Sequence, residues 1–437
     1  MTSDYLCERA LLPEGVRDNV VVSCAEGTIV AVSVGADPGA AHRLAGLVLP
    51  GFANTHSHAF HRALRGRTHG GGGTFWTWRE TMYQLAARLD PDSYYRLARL
   101  VFAEMVGAGF TSVGEFHYLH HQPDGTPYAE PNAMGHALVR AAEDAGIRLT
   151  LLDTCYLTGG IDAPLIGVQR RFGDGDVLGW LDRMSGFGPG SARLGAAIHS
   201  VRAVPAAALG PVASWAAEND GPLHVHLSEQ PAENDACRAA YGRTPTELLH
   251  EHGALTGATV AVHATHLTSS DITMLGRAGA TACFCPTTEA DLADGIGPAR
   301  ELLDAGAALA LGTDQHAVID PFLEIRGLEH GERLRTGQRG RFAPAELLTA
   351  ATVAGHAALG RPTGGRIALG APADLVAVRT DSPRTAGSLP DQVVLTANSS
   401  DVDSVVVDGG LLVDGGEHCR LGPVGPLLTE AINAVWR

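Results

Sequence analysis

Short apolar runs alternate with stretches of helical periodicity along most of this chain. Eight runs occur, at residues 47–58, 112–118, 147–157, 193–202, 222–229, 258–266, 280–286 and 308–314, and helical stretches between them include 93–109, 132–146 and 299–306. Strand alternating with helix favours a parallel sheet, because each helix returns the chain to the same end of the sheet. Eight such units over about 300 residues match a closed (β/α)8 barrel. The sequence therefore predicts an α/β fold with a TIM-type barrel.

The two ends of the chain have a different pattern. Residues 20–34 hold two β-rich pieces around a Glu-Gly turn, and further β-rich pieces occur at 373–378 and 402–413. We expect these segments to join into one small β-sandwich domain built from both termini. The predicted boundaries are 1–48 for the N-terminal part of the sandwich, 49–362 for the barrel and 363–437 for the C-terminal part.

Composition excludes several classes of function. The chain has no lysine, so all 32 of its Lys+Arg residues are arginine, which excludes Schiff-base chemistry and a phosphate-loop lysine. A formal net charge of -16 without a basic stripe makes nucleic acid an unexpected partner. The seven cysteines show no CxxC spacing, which favours reduced thiols. With no signal-peptide pattern and no apolar span of about 20 residues, we expect a cytoplasmic protein without a membrane partner.

Side chains that can bind a metal stand at the ends of four predicted strands, where barrel enzymes keep their catalytic groups. They are His56 and His58 after the first run, His226 and Glu229 after the fifth, His263 and His266 after the sixth, and Asp314 after the eighth. Because residues two apart on a strand face the same way, His56 and His58 can both point into the barrel mouth. Each residue alone is commonly structural, but the set on four different strands predicts one site.

Three histidines and an aspartate form a nitrogen and oxygen donor set suited to zinc or iron(II) with one position open for water. A metal of this kind lowers the pKa of a bound water to about 7, so hydroxide is available at neutral pH. Glu229 stands where a carboxylate can take a proton from that water and pass it to a leaving nitrogen.

Four motifs together resemble the amidohydrolase superfamily, in the branch that deaminates with one metal ion. They are LPGFANTHSHAFHRAL, HVHLSEQ, VHATH and LGTDQH, and the resemblance extends to the split β-sandwich through GRIALGAPADLVAV. It implies that His56, His58 and His226 bind one Zn2+ per chain, with iron(II) as the alternative. It further implies Asp314 as fourth ligand and proton acceptor, Glu229 as proton shuttle, His263 as the residue that polarises or hydrogen-bonds the group under attack, and a homodimer. Branches with a carboxylated lysine are excluded by the absence of lysine.

The predicted substrate pocket is similar to that of the formimidoylglutamate deiminase family, which converts N-formimino-L-glutamate to N-formyl-L-glutamate and ammonia in histidine degradation. TFWTWRE carries Arg79, GEFHYLH carries Tyr118, and IHSVR carries His199 and Arg202. Arginine forks bind carboxylates bidentately, so Arg79 and Arg202 suit a small anionic substrate derived from an amino acid. His61 stands where the resemblance leads us to expect a glutamine, and we count it among the substrate-binding residues.

Several alternatives remain at this stage. The enzyme could be another mononuclear deaminase of the same branch, acting on a guanidine, purine or pterin. A ring substrate would be bound by aromatic stacking, whereas the pocket is predicted to be rich in arginine. A non-catalytic metal-binding scaffold is a second alternative. Arg79 could instead pair with Glu80 or Glu104, and Tyr118 could be a core tyrosine. A further hypothesis is that the glycine-rich loop at residues 70–73 closes over the substrate.

Overall fold

The computed structural model describes residues 2–70 and 73–437, which form two eight-stranded sheets. The strands of the terminal domain are β1 (Thr2–Leu12), β2 (Gly15–Ala25), β3 (Thr28–Val34) and β4 (His42–Pro50), with β13 (Leu375–Val378), β14 (Val402–Val407), β15 (Gly410–Asp414) and β16 (Glu417–His418). The barrel strands are β5 (Phe52–Ser57), β6 (Phe110–His117), β7 (Arg148–Cys155), β8 (Arg193–Ile198), β9 (Leu223–Leu227), β10 (Thr259–His263), β11 (Thr281–Phe284) and β12 (Ala308–Leu311).

Strands β5 to β12 pair in parallel and in chain order, which confirms the predicted barrel. The last strand returns to the first, since the Asp314 amide donates to the His56 carbonyl (3.0 Å) and the His58 amide donates to the Asp314 carbonyl (3.1 Å). Seven of the eight predicted runs contain a complete barrel strand, the run at 112–118 covers β6 from its third residue, and each run continues past the carboxyl end of its strand. Those extra residues form the loops at the barrel mouth, where the candidate site lies.

The helices pack around the barrel. They are α1 (Phe75–Ala86), α2 (Pro91–Gly107), α3 (Ala133–Ala145), α4 (Val177–Ser185), α5 (Ala206–Glu218), α6 (Pro231–Tyr241), α7 (Pro245–Glu251), α8 (Ser269–Ala278), α9 (Pro286–Asp291), α10 (Ala299–Asp304), α11 (Pro321–Thr336), α12 (Pro344–Ala351), α13 (Val353–Ala358) and α14 (Val424–Trp436). Helix α2 begins with Pro91 after Asp90, whose carboxylate caps the Ser93 amide at 2.7 Å. Across residues 2–70 and 73–437 we find no helix with the length and apolarity needed to cross a membrane.

Both termini build the second domain, as predicted, and its strands are joined in one mixed sheet of order β16-β15-β14-β13-β4-β1-β2-β3. Parallel pairing of β1 with β4 and antiparallel pairing of β13 with β4 connect the two ends of the chain. The domain has an apolar core of its own, separate from that of the barrel. Strand β1 and the C-terminal helix α14 were not expected from the sequence; α14 packs on α2, and Trp436 Nε1 donates to the Ala63 carbonyl at 2.9 Å.

A buried ion-pair network holds α4 to the outer face of the barrel. Arg183 donates to both oxygens of Asp153 on β7 (2.8 and 2.9 Å) and to Asp174 (2.8 Å), with 5% of its side chain exposed. Burial opposes ionisation of Asp153, but the Arg183 guanidinium holds its pKa at about 2. The network therefore keeps two carboxylates charged inside the protein.

We expect Arg183→Met to lower the free energy of unfolding by about 3–5 kcal/mol, because it leaves two buried carboxylates without their counter-ion. Urea unfolding measures the change. Arg243→Met is the matched control, since Arg243 pairs with Glu251 at the surface, where solvent screens the interaction, and its removal should barely change stability. Equal loss in both variants would contradict this account of the network.

Candidate active site

The predicted metal-binding side chains meet at the barrel mouth. His226 Nε2 lies 3.1 Å from His56 Nε2, and Asp314 Oδ1 lies 3.3 Å from His56 Nε2 and 3.4 Å from His58 Nε2. All four side chains are buried. Three imidazole nitrogens and one carboxylate oxygen therefore converge on one point, contributed by strands β5 and β9 and by the loops that follow β5 and β12.

Backbone carbonyls fix the orientation of two of these imidazoles. His58 Nδ1 donates to the Phe116 carbonyl (2.9 Å) and His226 Nδ1 donates to the His199 carbonyl (2.8 Å). A carbonyl only accepts, so each Nδ1 carries the hydrogen and each Nε2 presents its lone pair to the cluster. Burial and the neighbouring histidines lower the pKa of His58 to about 3 and that of His226 well below the usual range. Neutral imidazoles with free Nε2 lone pairs fit a metal ion.

Left-handed backbone occurs at the loops that carry two of the candidate residues. His263 has φ of 67° and Asp314 has φ of 43°, a conformation that side chains other than glycine rarely adopt. Such strain persists only where surrounding contacts hold it, and it concentrates at functional sites. Here it turns the two side chains from the strand direction toward the cluster.

Glu229 and His263 lie together beside the cluster. His263 Nε2 is 3.8 Å from Glu229 Oε1 and 3.9 Å from Asp314 Oδ2. Burial raises the pKa of Glu229 despite the nearby positive charges of His263 and Arg202. Burial acts to lower the pKa of His263, but the negative charge of Glu229, with further contributions from other carboxylates, holds that pKa well above its usual range. The pair is therefore suited to exchange protons within a dry site.

One cavity opens onto this cluster. The predicted site residues in its wall are His58, His61, Arg79, Tyr118, His199, Arg202, His226, Glu229, His263 and Asp314. Two of the predicted residues lie outside the wall: His56, which is fully buried behind it, and His266. The structure thus brings together residues separated by up to 258 positions in the chain, from His56 to Asp314.

Two arginines give the cavity its positive charge. Arg202 is held by Glu233, whose Oε2 accepts from Arg202 Nε at 3.2 Å, and its Nη2 lies 3.6 Å from Glu229 Oε2. The Arg79 guanidinium lies over the ring of Tyr83, 5.5 Å from its centre. Burial and the electrostatic effects of Arg202, His58 and Arg79 hold the pKa of His199 well below its usual range. Glu104, one alternative partner for Arg79, pairs with Arg62 and Arg65.

The sequence and the fold of this chain are similar to those of known proteins. Residues 47–412 match the Amidohydrolase family. The chain belongs to the amidohydrolase family. It is similar to formimidoylglutamate deiminase of Pseudomonas aeruginosa, with 38% identity covering 95% of this chain and 96% of that protein. It is also similar to 8-oxoguanine deaminase of the same organism, with 31% identity covering 84% and 83%. The solved structure of an amidohydrolase from Brucella melitensis superposes with a TM-score of 0.90 at 34% identity and covers 100% of both chains.

Membership of this family makes the protein a hydrolase, and relatives of several kinds act as deaminases. The family is metal-dependent, in keeping with the donor cluster. The alternative of a non-catalytic scaffold has no support in the site, because Glu229 and His263 both accompany the ligand cluster in the cavity wall.

Sequence reasoning missed the aromatic part of this amidohydrolase's cavity. Trp78, Tyr83, Tyr156 and Phe172 line the wall with Tyr118, so aromatic rings outnumber the arginines that the sequence led us to expect. A signal for one of these rings was present: Tyr83 follows Arg79 by four residues on α1, so the helix brings the two side chains to one side. Tyr156 follows directly on strand β7, the position at which the other site residues were found.

His61 and Tyr118 form a contact of their own. His61 Nε2 lies 3.0 Å from the Tyr118 hydroxyl, and its ring lies 4.6 Å from that of His58. Tyr118 is therefore a wall residue with a polar partner and not an ordinary core tyrosine. Of the predicted lid, Gly71 and Gly72 lie outside the described residues. His266, by contrast, turns away from the cluster, and its Nε2 donates to the Asp294 carbonyl at 2.8 Å.

Glu289 is a second residue that the sequence did not reveal. Its Oε1 accepts from the Cys285 amide at 2.8 Å and from His263 Nδ1 at 3.3 Å. The hydrogen on His263 is thereby placed on Nδ1, and Nε2 faces Glu229 and Asp314. Nothing in the spacing of PTTEAD indicates this contact, since it joins helix α9 to the last residue of β10.

A separate group of metal-binding side chains lies on the outer side of the barrel wall. His117, His120 and Asp153 have donor atoms within 4.8 Å of one another. Both oxygens of Asp153 already accept from Arg183, and Trp180 Nε1 donates to it at 2.9 Å. A cation there would face the Arg183 guanidinium, so this group is explained by the ion-pair network.

Proposed function

We propose that this amidohydrolase converts N-formimino-L-glutamate to N-formyl-L-glutamate and ammonia. The observation that carries the proposal is the pair of arginines, Arg79 and Arg202, in the wall of the cavity that opens onto the ligand cluster. The substrate has two carboxylates, and the protein as a whole has a net charge of -16, so local cations must attract it. The 38% identity to a formimidoylglutamate deiminase over most of both chains adds support.

We assign one zinc ion per chain to His56, His58, His226 and Asp314. Three imidazoles and a carboxylate are typical ligands of zinc, and iron(II) is the alternative that metal analysis would distinguish. When bound, the ion supplies a Lewis acid that lowers the pKa of the attacking water.

Glu229 moves the protons of the reaction in this proposal. Its carboxylate takes a proton from water as the water oxygen forms a bond to the formimino carbon, and the electron pair of the C=N bond moves to the terminal nitrogen. The same proton then passes to that nitrogen. The hydroxyl proton then passes by way of Asp314 to the same nitrogen as the C–N bond breaks, so ammonia leaves and a formyl C=O remains. The raised pKa of Glu229 suits this double role, since a carboxyl with a pKa nearer neutrality both accepts and returns a proton.

His263 stabilises charge in the same step. Its Nε2 faces the space between Glu229 and Asp314, and Glu289 fixes the hydrogen on Nδ1. A protonated His263 donates through Nε2 to the oxygen of the tetrahedral intermediate, which stabilises the negative charge that develops there. Asp314 is the second acceptor for a proton from the water.

The arginines orient the substrate. A guanidinium fork binds a carboxylate through two parallel hydrogen bonds, which fixes direction as well as distance. Arg202 is already aligned by Glu233, so little conformational entropy remains to be lost on binding. Tyr118, His61 and His199 line the same wall and offer donors to the remaining polar groups.

A purine deaminase is the second candidate, and the aromatic wall favours it. Five aromatic rings line the cavity, and one relative at 31% identity is an 8-oxoguanine deaminase. A substrate panel decides between the two. N-formimino-L-glutamate, guanidinoacetate, 8-oxoguanine and pterin are compared by kcat/KM for ammonia release. We expect N-formimino-L-glutamate to give the highest value, and a higher value for any ring substrate would reject the proposed function.

A further inference from the structure

A chain of buried hydrogen bonds lies directly behind the ligand cluster. Ser57, between the two ligands His56 and His58, donates from Oγ to Glu115 Oε2 at 2.6 Å. His316 Nε2 lies 3.2 Å from the same Ser57 Oγ. Ser57, Glu115 and His316 are each 0% exposed. The residue between two ligands is thus tied to strand β6 on one side and to the loop after β12 on the other.

The hydrogen-bond chain continues to Thr313, the residue that precedes Asp314. Thr313 Oγ1 lies 2.9 Å from His316 Nδ1 and accepts from Asn54 Nδ2 at 2.7 Å, while the Thr313 amide donates to Asn54 Oδ1 at 3.0 Å. Asn54 is on β5, two residues before His56. The connection therefore runs from β5 through the loop after β12 and back to β5, with every member buried.

Glu115 makes the chain rigid at the ligand loop. Its Oε1 accepts from the Ala59 amide at 2.7 Å, and Tyr94 donates to it at 3.4 Å. One carboxyl group therefore holds the residue before His58 by its side chain and the residue after His58 by its backbone. Polar groups buried this completely are costly unless hydrogen-bonded, so the geometry of the whole chain is restricted.

We propose that Glu115, which is on β6 and is no ligand itself, is a positioning residue for the metal site: through Ser57, Ala59 and His316 it holds His56, His58 and Asp314 in binding geometry. The inference rests on the metal site of the proposed function and is independent of the substrate. Residues that orient metal ligands through hydrogen bonds commonly change metal affinity 10- to 100-fold when replaced.

The test is the zinc affinity of the purified full-length protein, measured by competition with a chromogenic chelator. Glu115→Ala removes both contacts and is expected to weaken zinc binding about 10- to 100-fold. Glu115→Gln is expected to keep it, because the amide oxygen accepts from the Ala59 amide and the NH2 group donates to Ser57 Oγ. Burial raises the pKa of Glu115 to about 8, so its surroundings oppose a charge and are compatible with a neutral amide.

Ser57→Ala breaks the chain at a second point and is expected to weaken zinc binding to a similar extent. A double variant carries Glu115→Ala and Ser57→Ala together. If the two residues act as one unit, its zinc affinity equals that of whichever single variant has the lower zinc affinity. Additive losses would contradict a single connected chain.

Glu324 provides the matched control. It is 1% exposed, its pKa is also raised by burial to about 8, and it accepts from the Thr287 amide (3.0 Å) and the Thr287 hydroxyl (2.5 Å). Glu324→Ala therefore removes the same kind of buried carboxyl group at a position outside the hydrogen-bond chain, and zinc affinity should be kept. Full affinity in Glu115→Ala, or an equal loss in Glu324→Ala, would overturn the proposal.

The proposal can be tested even if the Glu115→Ala variant does not fold. If that variant does not fold, Ser57→Ala is compared with Thr287→Val, which removes a hydroxyl bonded to the control carboxyl group. Loss of zinc affinity in Ser57→Ala alone supports the proposal, and equal affinities reject it. Zinc affinity is measured without substrate. A protein that does not deaminate N-formimino-L-glutamate would therefore reject the proposed function without rejecting the role of Glu115.

Discussion

Glu229→Gln is expected to lower kcat by about 10²- to 10⁴-fold while zinc content stays that of the parent protein. Glutamine keeps the shape of the side chain and its position near His263 and Arg202, but it has no carboxylate to take a proton from water. Glu229 lines the cavity and is no member of the ligand cluster, so metal binding does not depend on it. Ammonia release and metal analysis on the same sample give both quantities.

Glu324→Gln is the control for this variant, because it makes the same change in another buried carboxyl group, away from the cavity. Its kcat should match that of the parent. A Glu229→Gln variant with the parent's kcat would exclude Glu229 as the proton carrier. Loss of zinc from the variant would show instead that Glu229 supports the ligand cluster.

Removal of Arg202 is expected to raise KM about 10- to 100-fold, since a hydrogen bond to a charged group contributes about 1.5–3 kcal/mol. Arg202→Met also leaves Glu233 buried without its partner, and Glu233 Oε2 accepts from Arg202 in the free protein. We therefore expect lower stability as well as weaker binding in the single variant.

A compensated variant separates these two effects. Arg202→Met combined with Glu233→Gln removes both charges, so stability should recover while KM stays high. Urea unfolding and steady-state kinetics of N-formimino-L-glutamate measure the two properties. An unchanged KM in the compensated variant would reject Arg202 as a carboxylate-binding residue. Recovery of KM along with stability would mean that Arg202 acts only by supporting the fold.

The barrel and most of the candidate site could be predicted because both follow from a simple spatial rule. Parallel strands place their carboxyl ends on one face, and residues two apart on a strand share a side. His56, His226 and Asp314 were found in this way although they are distant in the chain. Arg202 was found in the same way, just beyond the end of β8.

This rule does not predict which side chains of neighbouring elements touch each other. Glu289 on α9 meets His263 at the end of β10, and Glu115 on β6 meets Ser57 on β5, so each contact depends on the register between neighbouring elements. That register is set by packing of the whole barrel, which one sequence does not display. The aromatic wall was underestimated for a related reason: Phe172 reaches the cavity from a 3-10 helix, Gly167–Phe172, that has no strand-end signal.

Ammonia release from N-formimino-L-glutamate by the purified protein, with product and metal determined on the same sample, tests the central claim most directly. We expect one N-formyl-L-glutamate per ammonia released, about one metal ion per chain, and loss of ammonia release on chelation. A protein with its full metal complement that releases no ammonia from this substrate, but does so from a ring substrate, would contradict it.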